Sequence, residues 1–172
     1  MDEVWREKLL RHLSETGDVG VETVRYIRMN NVRLRFGKHS ESIGARRLLF
    51  GRISLNSRYY SIASNLNDPK LLSLLVHEIH HLKQGARVAF SVYGELDAWQ
   101  VEYRFYKTLK PGARHLALEE ILALPLTFDR KILGRAIELM QAYAGTGYHA
   151  GWLPLRPLGY RIVAWLQADG KR

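Results

Sequence analysis

The sequence contains no cysteine among its 172 residues. This absence excludes disulfides, cysteine zinc knuckles and thiol nucleophiles, so a metal site in this chain has to use histidine and carboxylate ligands. No apolar run reaches the length of a membrane-spanning helix, and the charged N-terminus, MDEVWREKLLRHLSETG, is unlike a signal peptide. Together these absences favour a cytoplasmic protein without a membrane span.

The composition is typical of one folded domain. Hydrophobic residues make up 47% and charged residues 25% of the chain, and no linker or repeat divides residues 1–172. Lysine and arginine number 26 against 17 acidic residues, which gives a formal net charge of +9. Because this excess is spread along the chain, it suits nucleic acid, membrane head groups or an acidic polypeptide as partners without selecting one of them.

The middle of the chain predicts a small sheet. Between residues 21 and 64, short segments rich in β-branched and aromatic residues alternate with Asn, Gly and Ser. These segments, VETVRYIRM, NVRLRFG, RRLLFGRISLN and RYYSIAS, predict an antiparallel or mixed sheet with one exposed face. FGRISLNSRYY also has the alternation expected of a sheet edge along which an extended peptide substrate could pair.

Helical patterns flank this sheet. One helix is predicted over residues 2–14, and another begins at the N-cap Asp68 and ends at Gly85. Further helices are predicted from about residue 88 or 91 to Leu109 and on both sides of Pro125, and YRIVAWLQA predicts a terminal helix or strand. The order of helix, sheet and helices predicts an α+β fold.

Three of the seven histidines lie together in LLVHEIHHLKQG, residues 74–85. His77, Glu78 and His81 form the pattern HExxH. Side chains four residues apart lie on one helix face, so both imidazoles can bind one Zn²⁺. Glu78 points to the side of this pair, where its carboxylate can act as general base toward an activated water. His80 lies on the flank, which favours a structural or rim role.

The position of the two histidines on the helix favours a metal site. HExxH is short and also occurs by chance in helices that bind nothing. A histidine with a purely structural role in the core usually lies within the apolar stripe of its helix. Here the apolar stripe lies on one side and His77 and His81 face away from it; the stripe consists of Leu72, Leu75, Ile79 and Leu82.

A catalytic zinc takes three protein ligands and keeps one position open. The segment YGELDAWQVEYRFY offers Glu95 and Glu102, which are seven residues apart and lie on roughly the same helix face. We favour Glu95, because the small Ala98 one turn later would let this helix approach the histidine helix closely. Glu102 remains an alternative ligand, and either glutamate could instead be a solvated surface residue.

The pattern HEIHH…GELDA resembles the gluzincin branch of the zincin metallopeptidases, in which HExxH lies on one helix and a glutamate on the next. It is similar to compact domains such as the minigluzincins and the ImmA/IrrE-like peptidases, over residues 50–105. The metzincin pattern does not fit, because Gln84 and Arg87 stand where that class has Gly and His. The resemblance implies a zincin-like fold, His77, His81 and Glu95 as zinc ligands, and Glu78 as catalytic base.

Peptide hydrolysis also needs a donor for the oxyanion of the transition state. In gluzincins a later segment commonly supplies a Tyr, His or Arg for this purpose. Here GTGYHAGW offers Tyr148 and His149, and Tyr93 is another candidate. The alternative is that this segment is a loop packed by Trp152.

The sequence as a whole predicts a zinc metallopeptidase that hydrolyses a peptide or protein substrate. One alternative is a regulatory peptidase associated with DNA through the basic surface. Another is a catalytically weak, zincin-shaped binding module. The presence of Glu78 beside both histidines argues against the second alternative, since a binder has no need of a general base.

Overall fold

The computed structural model describes residues 2–41, 43–48, 51–145 and 147–160. Apart from Tyr160, the predicted terminal element YRIVAWLQA lies outside these residues. The described helices are α1 (Glu3–Ser14), α2 (Asp18–Met29), α3 (Pro69–Ala89), α4 (Val92–Leu109), α5 (Leu116–Ala123) and α6 (Arg130–Ala144), and the strands are β1 (Arg33–Gly37), β2 (Ala45–Leu48) and β3 (Arg52–Asn56). This order is the predicted α+β arrangement. Within the described ranges, no helix is long and apolar enough to cross a membrane.

The sheet has the strand order β1-β3-β2. β1 runs parallel to β3, whereas β2 is antiparallel to β3, so the sheet is mixed rather than purely antiparallel. The prediction that FGRISLNSRYY provides a sheet edge is wrong, because its strand β3 pairs on both sides. β2 is the edge strand on the side of the sheet that contacts α3.

The segment VETVRYIRM, predicted as a strand, belongs to α2. Its β-branched residues favour a strand, but the buried positions Gly20, Thr23, Val24 and Ile27 recur every three to four residues and give a helix one packed face. Gly20 lies so close to α1 that a Cβ there would be 2.0 Å from the Leu13 carbonyl oxygen. Tertiary packing against α1 therefore overrides the local β preference. RYYSIAS likewise forms turns.

The histidine helix α3 begins as predicted. The Asp68 side chain accepts a hydrogen bond from the Lys70 amide at 3.0 Å, and Pro69 occupies the first helical position. At Gly85 the backbone leaves the helical region, with φ of 72° and ψ of 165°, before a last turn continues to Ala89. Gly85 therefore breaks the helix where its sequence predicts a stop.

Helices α3 and α4 lie between two apolar clusters. The first packs α1, α2 and the sheet against α3 through residues such as Leu75 and Ile79. The second packs α4 against α5 and α6 through residues such as Leu96 and Ile121. The remaining faces of α3 and α4 are directed toward each other.

Small residues allow α4 to fold back closely onto the end of α3. A Cβ at Gly94 would lie 2.2 Å from the Val88 carbonyl oxygen, a distance that real side chains do not adopt. Ala98, one turn later, is completely buried. The predicted close approach of the two helices is therefore present. Both Gly94 and Ala98 permit it, because their side chains are absent or small.

We expect Gly94→Ala to lower the free energy of unfolding by about 1–3 kcal/mol, because the new methyl group would displace the backbone between α3 and α4. Gly134→Ala is the matched control, since Gly134 lies in α6 with open space around its Cβ position. This control should stabilise the protein by up to about 1 kcal/mol through helix propensity. Urea unfolding of both variants measures the difference, and equal stability of the two would contradict the close approach.

Candidate metal centre

The predicted ligands His77, His81 and Glu95 meet where α3 faces α4. His81 Nε2 lies 3.3 Å from Glu95 Oε1, and His77 Nε2 lies 3.8 Å from Glu95 Oε2. One potential ligand atom from each residue falls within 4.8 Å of the other two. Both imidazoles are buried, with 7% of His77 and 4% of His81 exposed. The three side chains therefore form a buried cluster that could hold a metal ion.

Glu102, the alternative third ligand, contacts the other side of the His77 ring. Its Oε2 lies 2.8 Å from His77 Nδ1, whereas Glu95 faces Nε2. The contact is off the direction of the ring N–H, so Nδ1 has no well-aligned hydrogen bond. A carboxylate beside the second nitrogen of a ligating histidine favours the tautomer whose other nitrogen can bind a metal. Glu95 thus faces the ring nitrogen that could bind a metal ion, whereas Glu102 contacts the opposite nitrogen of the same ring.

Gln84 orients the second imidazole, a role that the sequence analysis missed. Its Oε1 lies 3.0 Å from His81 Nδ1, and its Nε2 donates to the Gly94 carbonyl at 3.0 Å and to Asp97 Oδ2 at 2.8 Å. Gln84 Oε1 accepts a hydrogen bond from His81 Nδ1, because Gln84 Nε2 already donates two hydrogen bonds. His81 Nδ1 is therefore the donor in this contact, and Nε2 is the ring nitrogen that faces Glu95. The available signal was the spacing of three residues from His81 on one helix face.

His80 bonds to α4 and is not a member of the triad. Its Nε2 lies 2.7 Å from Asp97 Oδ2, the oxygen that also accepts from Gln84. Burial would raise the pKa of Asp97, but the hydrogen bonds from His80 and Gln84 lower it instead. Asp97 therefore stays ionised and links α3 to α4 beside the triad.

Carboxylates dominate the electrostatics of the cluster. Burial alone would lower the pKa of His77, but the neighbouring Glu102, Glu95 and Glu78 raise it to about 9. Burial would raise the pKa of Glu95, yet its hydrogen bond to His81, the charges of both imidazoles and the Tyr148 hydroxyl lower it to about 2. A buried set of carboxylates that draws a proton onto an imidazole is also suited to a divalent cation.

The two candidate oxyanion donors, Tyr148 and His149, contact different parts of the structure. The Tyr148 hydroxyl donates to Glu95 Oε2 at 2.5 Å and accepts from Trp99 Nε1 at 2.9 Å. The His149 ring stacks on Trp152 with centroids 4.3 Å apart. Tyr93, the further candidate, packs against Phe128. Tyr148 thus touches the cluster directly, while the catalytic roles of Tyr148 and His149 stay predictions.

A cavity of about 730 Å³ opens beside the cluster. Its volume lies within the range of about 300–1,000 Å³ that is common for ligand pockets. The triad lines it together with Glu78, whose side chain is buried. Further lining comes from Gly44 and Ala45, where β2 begins, and from aromatic side chains, among them Phe90, Trp99, Tyr103 and Trp152.

Comparison of the chain with protein-family models, with curated proteins and with solved structures found no match. The resemblance to gluzincins therefore rests on the HEIHH…GELDA pattern of the sequence.

We expect the metal-free protein to be most stable between about pH 4.5 and 6.5, the unperturbed pKa values of Glu and His. The raised pKa of His77 stabilises the fold below pH 6.5, and this stabilisation is lost as the pH rises toward 9. The lowered pKa of Glu95 stabilises the fold above pH 4.5, and this contribution is lost as the pH falls toward 2. Thermal unfolding in the presence of a chelator measures both limbs.

Glu102→Gln is the matched variant for the alkaline limb of this profile. It removes the nearest negative charge that raises the pKa of His77 while keeping the side chain's size. The loss of stability above pH 6.5 should therefore become shallower. An alkaline limb identical to that of the unmodified protein would contradict the assignment to His77.

Proposed function

We propose that the protein is a zinc-dependent metallopeptidase, with His77, His81 and Glu95 as metal ligands and Glu78 as general base. The observation that carries this proposal is the convergence of the three donor groups within 4.8 Å at the wall of a cavity. Glu78, the proposed general base, directly follows the proposed ligand His77 in the sequence and lines the same cavity.

The donor set fits zinc. Two imidazole nitrogens and one carboxylate oxygen form a ligand set typical of catalytic zinc, whereas calcium and magnesium prefer oxygen ligands alone. Contacts on both Nδ1 atoms, from Glu102 and Gln84, leave each Nε2 for the metal side. Zinc held here would polarise a carbonyl group and lower the pKa of a bound water to about 7.

We assign the proton transfer to Glu78. It follows His77 on α3, is only 6% exposed, and lines the cavity beside the triad. In the proposed reaction its carboxylate takes a proton from the attacking water and delivers it to the leaving amine. Burial keeps bulk water from competing for that proton.

The edge strand β2 supplies a surface for the substrate backbone. Among the described strands β2 pairs only with β3, and its first residue Ala45 lines the cavity together with the preceding Gly44. An extended peptide can pair with the open edge through main-chain hydrogen bonds, and its side chains then contact the apolar walls. This edge takes the role that the sequence analysis gave to β3.

We expect protein purified without added metal to contain about one zinc per chain, as measured by plasma mass spectrometry. Glu95→Ala should be purified without this metal, since only two ligands remain to hold it and the affinity is weak. Glu78→Gln should keep the metal and hydrolyse peptides of a mixed library at least about 10²-fold more slowly, because the general base is removed. Glu138→Gln, an exposed substitution in α6, is the control and should change neither quantity.

The outcomes separate the rival functions. Absence of zinc after incubation with excess metal would contradict the metal centre. Stoichiometric zinc without hydrolysis of any peptide would contradict the peptidase and favour a zincin-shaped binding module. Hydrolysis that persists in Glu78→Gln would contradict the assignment of the general base.

A further inference from the structure

We infer that Tyr148 is a positioning residue for the third metal ligand: its hydroxyl fixes Glu95, so metal affinity at α3 and α4 depends on the segment that follows α6. This inference rests on the metal centre proposed above. It gives the Tyr148 hydroxyl the role of orienting Glu95 rather than that of binding the oxyanion of the substrate.

The direction of the Tyr148 hydrogen bond follows from its second partner. The indole Nε1–H of Trp99 can only donate, so the Tyr148 oxygen accepts from it at 2.9 Å. The hydroxyl hydrogen then points to Glu95 Oε2, 2.5 Å away. Trp99 and Glu95 are four residues apart on α4 and so lie on one helix face. Tyr148 bridges them, and its hydroxyl is already engaged on both sides.

The two oxygens of Glu95 therefore differ. Oε2 accepts the short, charge-assisted bond from Tyr148, and Oε1 lies nearer to His81 Nε2, at 3.3 Å. A carboxylate held in this way has less rotational freedom to lose when it binds a cation. Partners of ligating side chains commonly change metal affinity about 10–100-fold when they are removed.

Backbone contacts hold the segment that carries Tyr148 against the first turn of α4. The amides of Val92 and Tyr93 donate to the carbonyls of Pro154 at 2.9 Å and Leu155 at 3.2 Å. These are N-terminal amides of a helix, which have no acceptor within the helix itself. Between Tyr148 and these contacts, Ala150 is buried in the second apolar cluster. The placement of Tyr148 is therefore coupled to the helical turn that bears Glu95.

We expect Tyr148→Phe to raise the dissociation constant for Zn²⁺ about 10–100-fold, as measured by competition with a chromogenic chelator. The absorption spectrum of the Co²⁺-substituted protein should also change, because Glu95 loses its fixed orientation. Tyr143→Phe is the matched control: its ring packs edge-on against the same Trp99, with centroids 5.4 Å apart. This control should keep the affinity and spectrum of the unmodified protein.

A double-mutant cycle separates positioning from general structural support. In the Glu95→Ala background, Tyr148→Phe should have no further effect on the residual affinity that the two histidines provide. An equal loss in both backgrounds would overturn the inference. So would unchanged metal affinity in Tyr148→Phe, whether or not peptide hydrolysis slows. If the unmodified protein itself binds no zinc or cobalt, the metal centre fails as well, which distinguishes that outcome from the failure of Tyr148 alone.

Discussion

The close packing of α4 on α3 is the constraint on which the site depends. Gly94 lets α4 return directly onto the end of α3, and completely buried Ala98 lies one turn along the same helix. Glu95 and Glu102 are two turns apart on α4, about 10 Å along the helix axis. They nevertheless reach opposite nitrogens of the same His77 ring. A wider separation of the helices would leave imidazoles and carboxylates buried without partners.

Stability alone gives a poor account of this polar interface. Moving charged groups out of water is costly, and replacing a buried ion-pair network by apolar residues is often neutral or stabilising. The interface nevertheless concentrates His77, His81, Glu95 and Glu102 between two apolar clusters. Binding of a cation would account for such a set, because the carboxylates that raise the pKa of His77 would also stabilise a divalent ion.

Local signals in the sequence predict the parts of the site that depend on one helix at a time. HExxH, the cap at Asp68 and the break at Gly85 are local features, and the structure contains each of them. The preference for Glu95 over Glu102 used a small residue as a marker of helix approach. Sheet order depends on pairing between segments that are separated in the sequence, and the helical state of α2 depends on its packing against α1, as at Gly20. Local patterns carry no information about such contacts, which is why the edge position given to FGRISLNSRYY and the strand predicted for VETVRYIRM were wrong, although the mixed sheet was predicted.

The C-terminal part of the chain contacts the candidate site through residues that belong to no recognised motif. The resemblance to gluzincins covers residues 50–105, yet Glu95 bonds to a side chain 53 residues further along. The second apolar cluster packs α5 and α6 against the face of α4 opposite the sheet cluster, and the chain leaving α6 then returns to the first turn of α4. Without this return, the amides of Val92 and Tyr93 would lose their acceptors, and Glu95 would lose its hydroxyl partner. The HExxH and ELDA segments are therefore not a self-sufficient unit, because the orientation of Glu95 depends on a helical layer outside the motif.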